Sequence, residues 1–168
     1  FAKEFIEGIQ QRARDQQKPG TANDPWCIGY FVDNELSWGK DDRALALSAL
    51  LSPATQPAKL AFRSWLENRY ATVAALNAAW GTGFDTWDAF LASTNKPSEK
   101  RCGTDLKAFH SQIAEQYFRV IRDAVKAAAP DKLYLGCRIA WGAPSVYRAA
   151  AKYCDVVSVN IYQRQANK

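Results

Sequence analysis

The sequence predicts an α/β fold that is built on parallel strands. Segments with apolar residues at helical spacing alternate with three short, almost continuous apolar runs, at residues 26–32, 133–139 and 155–162. Continuous apolar runs are typical of strands that are covered on both faces, as in a parallel sheet. Three parallel strands make a very small sheet with two unpaired edges, so we expect the chain to be an arc of something larger.

The amino-terminal part predicts a helix over residues 1–17 and a first strand over residues 26–32. Apolar residues recur at helical spacing in the helix, and a Lys-Pro-Gly sequence at 18–20 ends it. The first strand ends abruptly at the polar tripeptide Asp-Asn-Glu, residues 33–35. A functional site is therefore sought first at this end of the strand.

A long helical excursion, residues 36–131, separates the first strand from the second. The polar stretch 93–103 within it is expected to be a surface loop. Apolar stripes predict helices at 43–51, 58–70 and 71–80, a short turn of helix at 84–91, and a long helix with an N-cap at Thr104 and an end at Ala129.

The carboxyl-terminal part predicts a strand at 133–139, a short helix at 144–153 and a third strand at 155–162. No repeat, low-complexity segment or linker divides the chain, so we expect a single domain over residues 1–168. The chain contains no Met, which leads us to expect that residues before Phe1 are missing.

Composition and charge limit the classes of protein to consider. Hydrophobic residues make up 48% of the chain and charged residues 23%, which is ordinary for a folded protein. The formal net charge of +5 comes from scattered basic residues, whereas nucleic-acid binders concentrate charge on one face. No apolar stretch approaches the roughly 18 residues that span a bilayer. We expect no nucleic-acid or membrane partner, and a basic nucleic-acid-binding domain is kept only as a third hypothesis.

Metal and cofactor sites are not predicted. The four cysteines form no Cys-x-x-Cys pair and stand near no histidine, so the spacing of a metal site is missing. We expect them to be mostly buried as small hydrophobic residues, and the sequence leaves a disulfide open. His110, the only histidine, lies in a predicted helix and is given a structural or surface role. The Gly-Thr-Gly sequence at 81–83 lacks the lysine and the spacing of a phosphate loop.

Asn34 and Glu35 are the leading candidates for a functional site. Parallel α/β folds place their sites at the carboxyl ends of strands, and the strand over 26–32 delivers these two residues to such an end. The same residues could instead begin a helix, with Asp33 or Asn34 as its N-cap and Glu35 in its first turn. The surrounding sequence favours the functional interpretation.

Three stretches carry a resemblance to a known group of enzymes. The string Trp-Cys-Ile-Gly-Tyr-Phe-Val-Asp-Asn-Glu-Leu-Ser-Trp-Gly, residues 26–39, closely resembles the fourth barrel strand of clan A retaining glycoside hydrolases. Residues 62–84 are similar to the insertion that follows this strand in the agarase-like family 50 and the β-galactosidase-like family 42. Residues 117–162 are similar to the helix before strand five, strand five itself and strand six. The sequence of residues 33–39 favours the agarase-like family over the β-galactosidase-like family.

The resemblance implies a partial (β/α)8 TIM barrel with parallel strands and a helical insertion after the first strand. It also implies that Glu35 is the general acid/base, which protonates the glycosidic oxygen and later deprotonates the water that releases the sugar. Asn34 would hydrogen-bond the sugar 2-hydroxyl. Because the carboxyl must be protonated in the first step, we expect an apolar or negatively charged setting that raises its pKa, with Trp38 and Tyr30 as contributors.

Five further residues near strand ends are candidates for substrate binding. Trp38 and Trp141 could stack on pyranose faces, and core packing is an equal alternative for each. Arg138, Asn160 and Tyr162 would line the substrate pocket, and Arg138 could instead be a buried ion-pair partner.

The nucleophile is the part of the pattern that we do not find. A retaining mechanism needs a second carboxylate about 5–5.5 Å from the first. The resemblance places it after strand seven, and no acid in residues 1–168 matches its motif. We therefore expect a fragment of a β-agarase-like or β-galactosidase-like enzyme, which acts on β-galactosidic bonds in galactose-containing polysaccharide but is inactive alone. No cofactor is expected.

The alternative is a non-catalytic partial barrel that binds carbohydrate or associates with itself. Exposed sheet edges and a half-open apolar interior favour a homo-oligomer, because pairing two copies covers both. No signal peptide is visible in residues 1–168 and no compartment is predicted. Only the resemblance to agarases suggests a secreted parent enzyme.

Overall fold

The structure, a computed structural model, describes residues 7, 8, 10, 11 and 25–163. Most of the predicted helix over residues 1–17 lies outside this part, although the four described residues within it are helical. None of the helices in the described part combines the length and the apolar character that a bilayer crossing demands.

The chain divides into two compact units, which are described separately. The helical unit consists of residues 39–113, and the strand unit consists of residues 1–38 and 114–168. The expectation of a single domain over residues 1–168 stays a prediction.

The helical unit contains helices at each place where an apolar stripe predicts one. Their ends agree with the predicted ends to within three residues, apart from the beginning of the last helix, so the predicted helices are confirmed. The helices are α1 (Ala44–Leu51), α2 (Pro57–Tyr70), α3 (Val73–Trp80), α4 (Trp87–Ala92) and the beginning of α5 (Glu99–Ala128).

Local sequence explains where α3 and α4 begin and where α3 ends. The Thr72 and Thr86 side-chain oxygens accept hydrogen bonds from backbone amides in the first turns, at 3.2 Å and 3.1 Å. Gly81 ends α3 with φ of 68°, in the left-handed region. Glycine is favoured at this position because it adopts the left-handed region without the strain that a Cβ atom causes.

An aromatic core holds the helical unit together. The rings of Phe62 and Phe109 stack with their centroids 4.2 Å apart, which joins α2 to α5. Trp80 and Phe90 bring α3 and α4 into the same core, with centroids 6.1 Å apart. The apolar stripes of these helices therefore face one another.

The predicted surface loop at 93–103 is confirmed only for residues 93–98, and the predicted N-cap at Thr104 is wrong. Helix α5 already begins at Glu99, and the amides of Arg101 and Cys102 donate to the carbonyl of Ser98 at 2.9 Å and 3.0 Å. The first turn is polar because Lys100 and Arg101 are exposed and Glu99 forms ion pairs, whereas Cys102 is buried. The polar composition of residues 99–103 therefore reflects an exposed turn of helix rather than a loop.

The strand unit contains two short parallel strands, β1 (Gly29–Tyr30) and β2 (Leu133–Tyr134). Gly29 pairs with Leu133 and Tyr30 with Tyr134. A Cβ atom at Gly29 would collide with the carbonyl of Leu133, so glycine permits the close approach of the two strands. A further parallel bridge joins Ile139 to Val159.

The three predicted strands are much shorter than expected, but their parallel direction is confirmed. Left-handed backbone at Asp33, Gly136 and Arg138 interrupts regular pairing. The backbone hydrogen bonds nevertheless continue, for example from the Val32 amide to the Gly136 carbonyl at 3.0 Å and from the Asn160 amide to the Ile139 carbonyl at 3.0 Å. The three segments therefore lie side by side as irregular extended chain.

Helix α6 (Pro144–Tyr153) follows the second segment of the strand unit and has the predicted bounds. Pro144 stands in its first turn, where the missing amide proton costs no hydrogen bond. The buried residues Val146, Ala149 and Ala150 define one face of the helix.

All four cysteines are free, so the structure contains no disulfide. Cys102 and Cys137 are buried, whereas Cys27 and Cys154 are half-buried, in agreement with a role as small hydrophobic residues. Among the described residues no cluster of His, Cys, Asp and Glu could hold a metal ion.

Candidate functional site

Glu35 meets residues of the third segment at the carboxyl ends of the extended chains. Oε1 of Glu35 accepts hydrogen bonds from the Asn160 amide nitrogen Nδ2 and from the Tyr162 hydroxyl. The backbone amide of Glu35 donates to the carbonyl of Cys137 at 3.1 Å, in the second segment. The second segment thus fixes the backbone of Glu35 and the third segment fixes its carboxylate, at the edge where parallel α/β folds place their sites.

Left-handed backbone marks this part of the strand unit. Glu35 has φ of 51°, Asp33 has φ of 62° and Arg138 has φ of 50°. Residues with a Cβ atom rarely adopt such backbone angles, because the angles are strained. They persist only where contacts with the surrounding structure compensate for that cost. The turn over residues 33–35 is therefore held in a defined shape rather than left to local preference.

Tyr117 of α5 anchors the turn that carries Glu35. Its buried hydroxyl donates to Oδ2 of Asp33 at 2.8 Å and lies 3.5 Å from the carbonyl of Val32. The Tyr117 ring packs edge-on against Trp38, with centroids 5.2 Å apart. Burial raises the pKa of Tyr117 above its usual value, so the hydroxyl stays protonated and remains a donor.

The expected apolar, pKa-raising setting for Glu35 is wrong. Hydrogen bonds from Asn160 and Tyr162 lower the pKa of Glu35, and the positive charge of Arg138 acts in the same direction. The carboxyl is only half-buried, so desolvation does not outweigh these bonds. Glu35 is held as a carboxylate, which suits a proton acceptor more than a proton donor.

Arg138 is exposed, so the alternative of a buried ion pair does not apply. Its guanidinium carbon lies 4.5 Å from the centre of the Phe31 ring, within range of a cation–π contact. Its backbone amide donates to Oγ of Ser158 at 3.1 Å. Arg138 is therefore fixed on the same side of the unit as Glu35.

The structure brings some of the predicted site residues together and leaves others apart. Asn160, Tyr162 and Arg138 all act on Glu35. Trp38 is only 3% exposed and stacks on Phe118 at 5.4 Å, which is the core-packing alternative. Trp141 is 57% exposed and Asn34 is also exposed, so both are accessible to a ligand.

Sequence reasoning missed the supporting roles of Asp33, Tyr117 and Ser158. Asp33 was visible as part of the polar tripeptide, but only as an N-cap. Tyr117 lies on the apolar stripe of α5, where the pattern predicts core packing and no further role. Ser158 lies in an apolar run and gives no signal of its own. Polar residues within apolar stripes are the one clue that could have revealed them.

His110 is fully buried in the helical unit and accepts a hydrogen bond at Nδ1 from the amide of Leu45, at 3.3 Å. Burial lowers its pKa, so the neutral ring is favoured. This contact gives His110 the structural role expected from the sequence. An open cleft of about 550 Å³ also lies in this unit, between residues 81–84 and 93–98, and none of the predicted site residues lines it.

Comparison with known proteins identifies the class of this chain. The model of the glycoside hydrolase family 42, described as β-galactosidase, matches residues 21–168. The chain belongs to this family of glycoside hydrolases, and the resemblance drawn from the sequence is confirmed.

Agarases are also similar to the chain. It is 34% identical over 177 residues to β-agarase B of Vibrio sp. strain JT0107, covering 99% of this chain and 18% of that protein. It is 39% identical over 155 residues to β-agarase A of the same strain, covering 84% of this chain and 16% of that protein. A solved exo-β-agarase structure matches with a TM-score of 0.85 at 38% identity, over 97% of this chain and 23% of that one. The chain therefore spans less than a fifth of the length of these two curated relatives.

Proposed function

We propose that this chain is part of a (β/α)8 barrel in a retaining glycoside hydrolase that cleaves β-galactosidic bonds in galactose-containing polysaccharide. The observation that carries the proposal is the fixed position of the Glu35 carboxylate, which Asn160 and Tyr162 hold at the carboxyl ends of parallel segments. Sites of α/β barrels lie at this end of the strands. The similarity to agarases supports galactan as the substrate class.

The barrel itself is supported by the direction of the three extended segments. β1 and β2 are parallel, and Ile139 and Val159 form a second parallel bridge. Helix α6 leads from the second segment to the third, as a crossover connection does in βαβ units. These segments would correspond to strands four to six of the barrel.

In the proposed mechanism Glu35 acts twice. It gives a proton to the glycosidic oxygen as the bond breaks, and later takes a proton from the water that releases the sugar. Asn160 and Tyr162 orient the carboxylate for the second step, because they stabilise its ionised form. Asn34, exposed beside Glu35, would bind the sugar 2-hydroxyl, a contact that strengthens in the transition state.

The first step requires a protonated Glu35, and a neighbouring carboxylate is the usual means of raising its pKa. None of the described residues supplies one, since Arg138 is the charged group that acts on Glu35. We propose that the nucleophile comes from residues outside this chain. The isolated chain is then expected to show no turnover.

The proposal is tested in the complete polypeptide that contains this segment, with an aryl β-galactoside that has a good leaving group. Glu35→Ala should slow release of the sugar by about 10²–10⁴-fold, the usual contribution of a general acid/base. Azide should restore turnover and yield a β-galactosyl azide, because a small anion can attack the glycosyl-enzyme without base assistance. Glu115→Ala is the matched control, since Glu115 pairs with Lys152 on the surface of the same unit.

Two results would contradict the proposal. A Glu35→Ala enzyme with unchanged activity would show that this carboxylate is not the acid/base. Sugar release by the isolated 168-residue chain that disappears in Glu35→Gln would show that no outside nucleophile is needed.

A second candidate is a non-catalytic carbohydrate-binding or self-associating protein. The exposure of Ile28 (67%) and Ile161 (72%) in the strand unit favours it, because such apolar side chains are usually covered. In this case the isolated chain would form dimers or larger species at micromolar concentration. Light scattering that finds only monomers would exclude self-association.

A further inference from the structure

The backbone at Arg138 is held in place by a chain of two hydrogen bonds. The Arg138 amide donates to Oγ of Ser158 at 3.1 Å, and the Ser158 hydroxyl donates to the carbonyl of Leu135 at 2.7 Å. Arg138 keeps a left-handed φ of 50° under this constraint. An arginine at such an angle, where glycine or asparagine would be less strained, indicates that its side chain serves a purpose.

The side chain of Arg138 is fixed as well, although it is exposed. Its guanidinium lies over the Phe31 ring at 4.5 Å, and Phe31 is itself 43% exposed. No carboxylate of the described residues lies within the 4.0 Å of an ion pair with it. The carboxylate that acts on the same site, Glu35, is bound by Asn160 and Tyr162 instead. Arg138 thus presents an oriented cation close enough to act on Glu35 but without an ion-pair partner among the described residues.

We propose that Arg138 and Phe31 form a subsite for an oxyanion substituent, a sulfate ester or a carboxylate, on the saccharide bound at Glu35. The inference rests on the proposed function, because it adds a substrate class to the same site. A guanidinium presents two parallel N–H donors that match two oxygens of such a group. The Phe31 ring keeps the guanidinium plane in position and reduces the entropy lost on binding.

The site predicts a preference for charged over neutral galactan. A hydrogen bond to a charged group contributes more than a neutral one, and about 1.4 kcal/mol corresponds to a tenfold change in affinity. We therefore expect an anionic galacto-oligosaccharide to bind about tenfold more tightly than a neutral one of equal length. The preference should fall at high salt, since Arg138 is exposed.

The experiment measures binding by calorimetry to the complete polypeptide that contains this segment, with Glu35→Gln in every protein to prevent turnover. The probes are three galacto-oligosaccharides of equal length: a neutral one, one that bears a sulfate ester and one that bears a carboxylate. Arg138→Gln removes the positive charge, and Arg138→Lys keeps the charge but removes the two parallel donors of the guanidinium. Circular dichroism checks that each variant is folded. Arg148→Gln is the matched control, because it removes the same charge from an exposed position in the same unit.

We expect Arg138→Gln to abolish the preference for the anionic probes, Arg138→Lys to reduce it, and Arg148→Gln to leave it intact. A preference for only one of the two anionic probes would identify the substituent. Equal affinity for charged and neutral probes, or equal losses in the Arg138 and Arg148 variants, would overturn the inference while leaving the proposed function standing. Failure of all three probes to bind would count against the carbohydrate site itself.

Discussion

The hydroxyl of Tyr117 donates a 2.8 Å hydrogen bond to the carboxylate of Asp33, two residues before Glu35. Tyr117 belongs to the middle of α5, whereas Asp33 ends the first extended segment. The bond therefore connects a long helix to a turn whose backbone is strained at both Asp33 and Glu35. The bond stabilises a turn conformation that the residues of the turn would not favour by themselves.

The first prediction concerns this bond. Tyr117→Phe keeps the ring against Trp38 but removes the donor, so it should lower the free energy of unfolding by about 1 kcal/mol. Amide hydrogen exchange at Glu35 should become faster, because the turn loses an anchor. Chemical denaturation and exchange measured by NMR check the two effects. Tyr147→Phe, in a partly exposed tyrosine of α6, should stay within about 0.5 kcal/mol of the original protein.

A double-mutant cycle with Asp33→Ala separates this bond from other effects of the substitutions. We expect a coupling free energy of about 0.5–1.5 kcal/mol between the two positions. Strictly additive losses would show that Tyr117 does not stabilise the turn through Asp33.

The second prediction concerns the ionisation of Glu35. Hydrogen bonds from Asn160 and Tyr162 hold its pKa below the ordinary value of 4.5. A folded-state pKa that is depressed means that the stabilisation is present above the unfolded-state pKa and is lost as the pH falls through the folded-state pKa. Asn160→Ala and Tyr162→Phe should each move the pKa of Glu35 up toward 4.5.

Carboxyl carbon NMR titration of the chain and the two variants makes this measurement. The pKa of Glu115, which a hydrogen bond from Lys152 lowers, serves as the internal control and should not change. A Glu35 pKa that is above its usual range in the original chain, or unmoved in both variants, would contradict the arrangement of the site.

The third prediction concerns a buried carboxylate in the helical unit. Asp105 accepts hydrogen bonds from the Tyr70 hydroxyl at 2.6 Å and from Trp80 Nε1 at 2.7 Å, and it pairs with Arg69 Nε at 2.9 Å. Asp105→Asn would turn an amide N–H₂ toward one of these donors. Asp105 is buried but Arg69 is half-exposed, so the main cost comes from the Tyr70 and Trp80 donors that lose their acceptor. We expect a loss of about 1–3 kcal/mol.

Denaturation by urea measures this loss, and Asp88→Asn is its control. Asp88 pairs with Arg63, but its side chain is 85% exposed, so its removal should cost at most about 1 kcal/mol. Similar losses for the two variants would mean that the Asp105 cluster contributes no more than a surface ion pair.

Sequence patterns predicted the helices well because each helix carries its own apolar stripe. Helix α6 has the bounds expected from Pro144 and the stripe that follows it. The short length of the strands could not be predicted, because Asp33, Glu35 and Arg138 adopt left-handed angles that are imposed by distant contacts. A glycine in a sequence indicates where such angles can occur, whereas Asp, Glu and Arg give no such indication.

The site shows the same division between local and long-range information. Glu35 stood out because it ends an apolar run, which is a local feature. Asn160 and Tyr162 were expected near a pocket for the same reason, but their hydrogen bonds to Glu35 join residues more than a hundred positions apart. The direction of the Glu35 pKa depends on these partners, and it could therefore not be predicted from the neighbouring residues alone.

The last prediction concerns Lys59, a lysine that is fully buried in the helical unit. Its Nζ donates to the carbonyl of Ser52 at 2.8 Å and to the carbonyl of Ser93 at 2.7 Å, at the ends of α1 and α4. Lys59→Met fills a similar volume but leaves both carbonyls without this donor. We expect it to lower the free energy of unfolding at pH 7 by about 1–3 kcal/mol.

The pH dependence gives this prediction its sharper test. Burial lowers the pKa of Lys59 below its ordinary value of 10.5. As the pH rises from the lowered pKa toward 10.5, the unfolded chain holds a proton that the folded chain has lost, so the stability of the original protein rises relative to Lys59→Met. Urea denaturation at pH 7, 9 and 10 should show a growing difference, whereas Lys107→Met, at an exposed position on α5, should show a nearly constant one. A difference that shrinks with pH would mean that the folded protein stabilises the ammonium form, contrary to the effect of its burial.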